Sequence, residues 1–359
     1  MNKIKVLIVD DSAFMRKAIE TMLRKEPEIE VVGFARNGKE AIELVESLNP
    51  DVVTLDIEMP VMDGLEALKI IMKKFPRPVI MVSSLTTEGA EATLKALELG
   101  AVDFIPKDKS FATLTVMKIE RELIEKIKHF AKKRITEVFS HKTRKVTFGR
   151  EDKKEKPAQI QPVGRAVKKI PISMVLIGTS TGGPQSLQRV IPQISPSINK
   201  PILVVQHMPP NFTKSLANRL DSLSKLTVIE AQGKEKIEPN VVYIAKGGFH
   251  LKVRKIGTNY YTEVTEQPKN ILHIPSVDVM VSSAVECIGG NGLGVIMTGM
   301  GSDGKEGLKK LKQRGGIVIA QNEETCVVYG MPRAVVEAKI ADEVVPLDRI
   351  AERIEYYCK

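Results

Sequence analysis

The feature that most constrains this chain is the regular alternation of short β-branched runs with helical patterns over about its first 130 residues. The runs KVLIVDD, EVVGFA, DVVTLD, PVIMVSS and AVDFIP are each followed by a segment with apolar residues at helical spacing. Five such pairs predict a parallel sheet covered by helices on both faces. We therefore expect a flavodoxin-like (βα)5 domain, in which ligands bind beyond the carboxyl ends of the strands.

A second alternating series starts with MVLIGTS and continues through PILVVQHM, VVYIAKGG, GLGVIMTG and GGIVIAQN. Within it, FHLKVRKIGTNYYTEVT alternates apolar and polar residues around a Gly-Thr-Asn turn, which is typical of an antiparallel hairpin. These patterns predict a second doubly wound, mostly parallel α/β domain that carries an antiparallel hairpin.

The stretch between the two series is charged and has no apolar period. The formal net charge of the chain is +10, and residues 136–170 contain ten Lys or Arg against four Asp or Glu, so most of the excess lies there. We expect a solvated basic linker and no nucleic acid partner, because no recognisable helix-turn-helix follows it. The predicted organisation is a first domain over 1–135, a flexible linker over 136–169 and a second domain over 170–359.

Hydropathy and cysteine usage bear on the compartment. No apolar run reaches the roughly 20 residues that span a bilayer, and the N-terminus MNKIKVLIVDD enters a strand at once. The sequence thus predicts a cytoplasmic protein with no segment inserted in a membrane. The cysteines Cys287, Cys326 and Cys358 are scattered and indicate neither a disulfide framework nor a zinc site.

Charged and hydroxyl side chains stand at the strand ends of the first domain. Asp10 and Asp11 follow the first strand, Asp56 ends the third, Ser83 ends the fourth and Lys107 follows the fifth. Three carboxylates that converge at one sheet edge repel one another unless a cation neutralises them, which predicts Mg²⁺ held by Asp10, Asp11 and Asp56. Asp56 is the natural phosphoryl acceptor. Lys107 would stabilise the transferred charge, and Ser83 would be drawn toward it as a switch.

Residues 1–130 resemble a response-regulator receiver domain through the Asp-Asp pair, DVVTLDIEMPVMDGLEAL and the late lysine. The resemblance implies that a histidine kinase phosphorylates Asp56. It also implies that Asp11, Asp56 and the main chain near Glu58 surround the metal, and that Phe104 occupies the aromatic switch position.

In the second domain a serine stands on a glycine-rich turn between a strand and a helix. The turn is GTSTGGP, residues 178–184, and its small residues would expose the Ser180 hydroxyl while a substrate carbonyl approaches the main chain. The match to GxSxG is weak by itself, because such a turn equally suits a phosphate or a dinucleotide. A non-catalytic nucleotide-binding module at 178–183 is therefore the competing interpretation.

Two further strand ends supply the other groups that a serine nucleophile needs. His207 ends the strand PILVVQHM, and Asp303 follows the strand in VIMTGMGSDG. At one sheet edge, His207 would remove the Ser180 proton while Asp303 holds the imidazole. Asp278 is an alternative third member, although an Asp at a helix start is commonly a cap.

Residues 172–350 resemble the methylesterase domain of the chemotaxis methylesterase family through IGTSTGGP, VVQHMPPNF, HIPSVDVM and TGMGSDGKEGL. The resemblance implies Ser180 as nucleophile, His207 as base and Asp303 as its orienting partner. It implies hydrolysis of glutamate methyl esters on chemoreceptors, and usually deamidation of specific receptor glutamines by the same acyl-enzyme route. The implied partners are a chemotaxis histidine kinase, as phosphoryl donor, and methylated chemoreceptors, as substrate.

The remaining groups near the predicted site are main-chain donors and histidines. Our hypothesis for the oxyanion hole is the N–H of Met300 together with that of the serine turn at Thr181. No cofactor is expected in this second domain. We interpret His250 and His273 as structural histidines, the alternative being that they line a substrate groove.

The fusion of the two domains suggests how they work together. We hypothesise that the unphosphorylated first domain packs over the Ser180 edge of the second, and that phosphorylation at Asp56 loosens this packing. A modest difference in stability between the two arrangements would be enough to shift their populations.

Overall fold

A computed structural model describes residues 3–107, 113–132, 161–162 and 170–359. The chain divides into two compact units, which lie within Met1–Gly149 and Arg150–Lys359. Of the segment 136–169 that the sequence predicts as a linker, only 161–162 belong to the described residues, and the rest lies outside them. No helix in this described part of the chain is both long enough and apolar enough to cross a bilayer.

The first unit alternates strands and helices along the chain. Its elements are β1 (Ile4–Val9), α1 (Ala13–Leu23), β2 (Ile29–Ala35), α2 (Gly38–Leu48), β3 (Val52–Asp56), α3 (Gly64–Lys74), β4 (Val79–Ser84), α4 (Thr87–Leu99), β5 (Asp103–Lys107) and α5 (Thr113–Lys132). The strands form one sheet in the order β2-β1-β3-β4-β5, and every neighbouring pair is parallel. The predicted flavodoxin-like domain is confirmed.

Burial explains why these strands are nearly continuous apolar runs. All five residues of β3 are buried, as expected for a parallel strand that is covered on both faces. The strand order reverses between β1 and β3, and a crevice forms at such a reversal, outside the carboxyl ends of the strands. Asp10 directly follows β1 and Asp56 ends β3, so the topology itself places both carboxylates at the crevice.

The second unit has a larger sheet and a separate hairpin. Its elements are β6 (Gln161–Pro162), β7 (Met174–Thr179), α6 (Gly183–Val190), β8 (Ile202–Gln206), α7 (Phe212–Leu223), β9 (Thr227–Glu230), β10 (Val241–Ile244), β11 (His250–Ile256), β12 (Asn259–Thr265), α8 (Val277–Ile288), β13 (Gly292–Ile296), α9 (Lys305–Gln313), β14 (Ile317–Gln321), α10 (Met331–Glu337), β15 (Glu343–Val345) and α11 (Ile350–Cys358). Short 3₁₀ turns occupy Ile191–Gln193, Pro196–Ile198, Glu323–Thr325 and Leu347–Arg349.

The sheet of the second unit is parallel except at one end. Its order is β6-β15-β14-β13-β7-β8-β10-β9, and only the pairing of β6 with β15 is antiparallel. The strands β11 and β12 form the predicted antiparallel hairpin, which confirms the fold class of this domain. The chain leaves β7 for β8 on one side and later adds β13 on the other, so the strand order reverses at β7. Ser180, His207 and Asp303 come after β7, β8 and β13, respectively.

Candidate functional site

The first site is a cluster of carboxylates in the first unit. Ligand oxygens of Asp10, Asp11 and Asp56 all lie within 4.8 Å of one another. The Nζ atom of Lys107 lies 2.8 Å from Asp10 Oδ2 and 2.6 Å from Asp56 Oδ2. Three convergent carboxylates offer the oxygen ligands that a hard divalent cation prefers, so these residues fit Mg²⁺.

Burial disfavours the ionised form of Asp56. The side chain is almost fully buried, and this burial, together with the neighbouring charge of Asp10, raises the pKa of Asp56 to about 6. The hydrogen bond and charge of Lys107 and the N–H of Ile57 act in the opposite direction but are outweighed. Burial also disfavours the Lys107 cation, yet its two carboxylate partners hold the pKa of Lys107 above its ordinary value. The single cation of Lys107 does not balance the three carboxylates of the pocket, which is consistent with a bound metal cation.

The predicted switch residues are tied to other parts of the first unit. The Ser83 hydroxyl donates to the carbonyl of Gly89 in α4 at 3.0 Å, so it is turned toward that helix. Phe104 is buried. Lys126 of α5 donates to the Phe104 carbonyl at 2.7 Å, and its Nζ lies 5.7 Å from the centroid of the Phe104 ring. The structure therefore gathers Asp10, Asp11, Asp56 and Lys107 into one pocket, with Ser83 and Phe104 on neighbouring strands β4 and β5.

We expect Asp56→Asn to stabilise the metal-free chain at neutral pH. The raised pKa means that ionised Asp56 lowers the free energy of unfolding, by about 1–3 kcal/mol above pH 6. This cost fades as the pH falls toward about 4, where the carboxyl is protonated in the folded and unfolded states alike. Calorimetric unfolding at pH 7 and pH 4 measures the difference, and Asp11→Asn, at the exposed member of the cluster, is the matched control. A destabilised Asp56→Asn chain at pH 7 would contradict the sign.

The second site begins at the turn between β7 and α6. Ser180 directly follows β7, and its N–H donates to the carbonyl of Thr298 at 3.0 Å. Gly182 has a φ of +75°, and a methyl group there would collide with the side chain of Val327. A non-glycine residue would therefore be strained at this position as well as obstructed. The turn holds Ser180, partly exposed, at the carboxyl edge of the sheet.

The imidazole of His207 is held by one nitrogen and free at the other. Its Nε2 lies 2.7 Å from Asp303 Oδ2. An ionised carboxylate can only accept, so Nε2 carries the proton and Nδ1 has the lone pair. The Nδ1 atom is buried and has no hydrogen-bond partner among the described residues. In the familiar serine-protease triad the two nitrogens have the opposite assignment, so here Nδ1 is the atom able to take a proton from a serine.

Asp303 lies in a set of donors that keeps it ionised. Ser276 Oγ donates to Oδ1 at 2.8 Å, and the N–H groups of Val277 and Asp278 donate to the carboxylate at 2.7 and 3.1 Å. Burial alone would raise the pKa of Asp303, but the hydrogen bond from His207, with these backbone donors, holds the pKa well below its ordinary range. The carboxylate is thus charged at any physiological pH and can orient the imidazole.

Asp278, the alternative third member of the triad, is not the carboxylate that binds His207. Its Oδ1 accepts from the N–H of Gly307 at 2.6 Å. Burial raises the pKa of Asp278 to about 6, with a further contribution from the nearby charge of Asp303. The expectation that Asp278 caps its helix is wrong, because the cap of α8 is Ser276, whose hydroxyl accepts from the N–H of Val279.

The predicted oxyanion donors flank the serine. Among the described residues, neither the N–H of Thr181 nor that of Met300 has a hydrogen-bond partner. Gly299 packs directly against the serine, since a methyl group on it would meet Ser180 Cβ at 2.9 Å. The turn that contains Met300 therefore abuts the serine turn.

A buried glutamine that the sequence reasoning missed joins two of the predicted site residues. Gln206 Nε2 donates to the carbonyl of Ser180 at 2.9 Å and to that of His207 at 3.1 Å. A polar residue at the end of the otherwise apolar run ILVVQ was the available signal. The turns that carry Ser180 and His207 are thereby held together independently of the candidate catalytic side chains.

The two remaining histidines have different surroundings. His250 is fully buried. One of its nitrogens lies 3.1 Å from the carbonyl of Pro268, and the other accepts from the N–H of Ser276 at 3.2 Å, which agrees with a structural role. The ring of His273 stacks on the ring of His207, with centroids 4.2 Å apart and planes 10° apart. The interpretation of His273 as merely structural therefore misses a direct contact with the candidate base.

The fold and the two sites define a class of protein, in which a receiver-type unit with an acidic pocket is joined to an α/β unit that carries a His-Asp pair and, at the same sheet edge, a serine on a strand-to-helix turn. The family model described as CheB methylesterase matches residues 175–354, and the one described as response regulator receiver domain matches residues 6–118.

Full-length relatives extend this likeness over the whole chain. A protein of Nitratidesulfovibrio vulgaris named protein-glutamate methylesterase/protein-glutamine glutaminase 2 is 49% identical, with 98% of each chain covered. A Halalkalibacterium halodurans protein with the same name, without the number, is 46% identical over 100% of this chain and 99% of its own. The crystal structure of the Thermotoga maritima CheB methylesterase catalytic domain is 45% identical, covers 52% of this chain and 99% of that domain, and has a TM-score of 0.51. The chain belongs to the protein-glutamate methylesterase/protein-glutamine glutaminase family, as its motifs predict.

Proposed function

We propose that this chain is a phosphorylation-activated serine hydrolase that removes methyl groups from glutamate methyl esters on chemoreceptors and deamidates specific receptor glutamines. The names of its relatives support the substrate class. The observation that carries the chemistry is the His207 imidazole, which is bound to Asp303 at Nε2 and buried without a partner at Nδ1. We place the reaction in the cytoplasm, the compartment that the sequence predicts.

The proposed reaction proceeds through an acyl-enzyme. Ser180 Oγ attacks the side-chain carbonyl carbon of the methylated glutamate while His207 Nδ1 takes the serine proton. The oxyanion that forms is stabilised by the N–H groups of Thr181 and Met300. The C–O bond to the methyl group's oxygen then breaks, and His207 returns the proton so that methanol leaves. Water, deprotonated by the same nitrogen, hydrolyses the acyl-enzyme to free glutamate. A glutamine substrate differs only in that ammonia is expelled.

The receiver unit would control this reaction through Asp56. Its carboxylate accepts the phosphoryl group from a histidine kinase, and Lys107 is in place to bind the transferred charge. Mg²⁺ held by Asp10, Asp11 and Asp56 would neutralise the phosphoryl oxygens. An added charge of about −2 attracts the Ser83 hydroxyl away from the Gly89 carbonyl. The position of α4 then changes with phosphorylation.

The alternative of a nucleotide-binding turn has less support from the same residues. The N–H of Gly183 at the start of α6 already donates to the carbonyl of Ser180. A methyl group on Gly183 would meet the buried Oε1 atom of Gln206, so an acceptor oxygen lies beside the place where a phosphate would need donors. Helix N-termini bind anions through free N–H groups, and here one donor is already paired and an acceptor lies close by.

Methanol release from methylated receptor tests the proposal. Turnover should occur with the full chain and increase when a small-molecule phosphoryl donor and Mg²⁺ are added. In Asp56→Asn the increase should be lost while basal turnover remains, because the substitution removes the phosphoryl acceptor and leaves the second unit unchanged. Absence of methanol under all conditions would refute the esterase, and an undiminished increase in Asp56→Asn would refute Asp56 as acceptor.

Removing residues 1–169 should raise the basal esterase rate of the remaining chain. If the unphosphorylated receiver unit restricts access to Ser180, only a minor fraction of full-length molecules has an open active site. Removing the unit opens the site in every molecule, so the basal rate should rise about tenfold or more. Methanol release from residues 170–359 and from the unphosphorylated full chain at equal concentration gives the comparison. A fragment slower than the full chain would exclude simple occlusion.

A further inference from the structure

One edge of the His207 ring is fixed by a hydrogen bond, but the plane of the ring is not. Within the described part of the chain, the bond from Nε2 to Asp303 is the only hydrogen bond that the His207 side chain makes. The second side-chain torsion of histidine has a broad energy profile, so a single bond at one nitrogen leaves the ring able to rock. Rocking displaces Nδ1, the atom that must lie within about 2.6–3.2 Å of the serine oxygen for proton transfer.

The stacked ring of His273 supplies the missing constraint. The two imidazoles are nearly parallel, at 10°, with centroids 4.2 Å apart. A planar neighbour at this separation blocks rocking toward its own side, since dispersion contacts and steric exclusion both favour parallel planes. Stacked rings face each other with their π surfaces, so His273 is not aligned to exchange a proton with Nδ1 of His207. The contact restrains geometry and is no proton relay.

The backbone that carries His273 also carries the donors to Asp303. Ser276 and Val277 follow His273 closely in the chain. The Ser276 hydroxyl and the Val277 N–H both donate to the Asp303 carboxylate, which also binds His207. The buried His250 accepts the N–H of Ser276, which anchors this segment to β11. One short piece of chain, residues 273–278, therefore sets both the plane of the base and the position of its carboxylate.

We infer that His273 is a positioning residue of the hydrolysis reaction, acting through its planar ring to hold Nδ1 of His207 toward Ser180. This inference rests on the proposed function for its kinetic consequences. The planar shape is the essential property, so another flat ring of similar size should replace it, whereas a branched aliphatic chain of similar volume should not.

The test compares His273→Phe with His273→Leu in the full chain. Leucine should lower kcat for methanol release about 3- to 10-fold, the range that a stacked aromatic contact is worth, with KM within about twofold. Phenylalanine should restore kcat to near that of the unmodified chain. Equal losses in both variants, no loss in either, or a rise in KM at constant kcat would each overturn the inference.

A second measurement is independent of catalysis. The chain has five histidines, so selective ¹⁵N-histidine labelling gives a spectrum with few resonances, and His207→Gln assigns the relevant one. The Nε2 proton of His207 should exchange with solvent several-fold faster in His273→Leu and at the original rate in His273→Phe; identical exchange in all three proteins would overturn the inference. If the unmodified chain released no methanol, the proposed function would be refuted. The exchange rates of the His207 Nε2 proton would still test whether His273 positions the His207 ring.

Discussion

Ser180→Ala is expected to lower methanol release by about 10⁴-fold or more, because the substitution removes the atom that forms the acyl-enzyme. The N–H donors near the turn and the imidazole would remain, so some acceleration over uncatalysed hydrolysis should persist. The measurement is kcat with methylated receptor under phosphorylating conditions. A serine-directed phosphonate gives a second readout, since covalent labelling should disappear with the hydroxyl.

Ser222→Ala is a suitable control for this experiment. Ser222 is exposed near the end of α7, and its hydroxyl donates only to the carbonyl of Arg219 in the preceding turn. Its loss should change kcat by less than about twofold, as is usual for surface substitutions. Persistent turnover or labelling in Ser180→Ala would place the nucleophile elsewhere, and failure of the unmodified chain to react with the phosphonate would favour a binding module.

Asp303→Asn is expected to lower kcat by about 10⁴-fold while the protein stays folded. Three donors converge on Oδ1, from Ser276, Asp278 and Gly304, so the amide oxygen of the asparagine should occupy that position. Its NH₂ group would then face Nε2 of His207 as a donor. The imidazole would respond by carrying its proton on Nδ1, and it would have no lone pair available for the serine proton.

Asp278→Asn is the matched control, because it neutralises the neighbouring carboxylate without touching His207. The asparagine oxygen can still accept from the N–H of Gly307, and burial already makes the Asp278 charge costly. We expect kcat within about threefold of the unmodified chain. If instead Asp278→Asn were inactive and Asp303→Asn active, the third member of the triad would be Asp278.

The position of Asp303 could be predicted from the sequence, whereas the orientation of Asp278 could not. Asp303 lies in the loop between β13 and α9, at the carboxyl edge of the central sheet, and ligand-binding groups gather at that edge. Asp278 stands in the first turn of a helix, where its orientation depends on which preceding residue becomes the cap. The sequence pattern favoured Asp278 as the cap, whereas the folded backbone makes Ser276 the cap.

Contacts between loops could not be predicted in the same way. His273 lies in a segment between β12 and α8 that has no regular period, so no spacing rule relates it to His207, which is 66 positions earlier. The two hydrogen bonds from the Gln206 amide to the carbonyls of Ser180 and His207 are a similar case. A side chain at the end of a strand has either face available, and the close packing of Gly183 decides which carbonyls its amide reaches.

By itself, the sequence determined the two α/β units, the antiparallel hairpin and the family, and it placed the candidate groups at the strand ends. Hydrophobic periodicity encodes which elements form, and parallel topology forces their carboxyl ends to one edge. Only the tertiary structure decided which nitrogen of His207 remains free, that Asp303 rather than Asp278 binds it, and that His273 covers its face. These outcomes depend on hydrogen bonds and ring contacts of a few ångströms between residues far apart in the chain, and local sequence patterns carry no information at that scale.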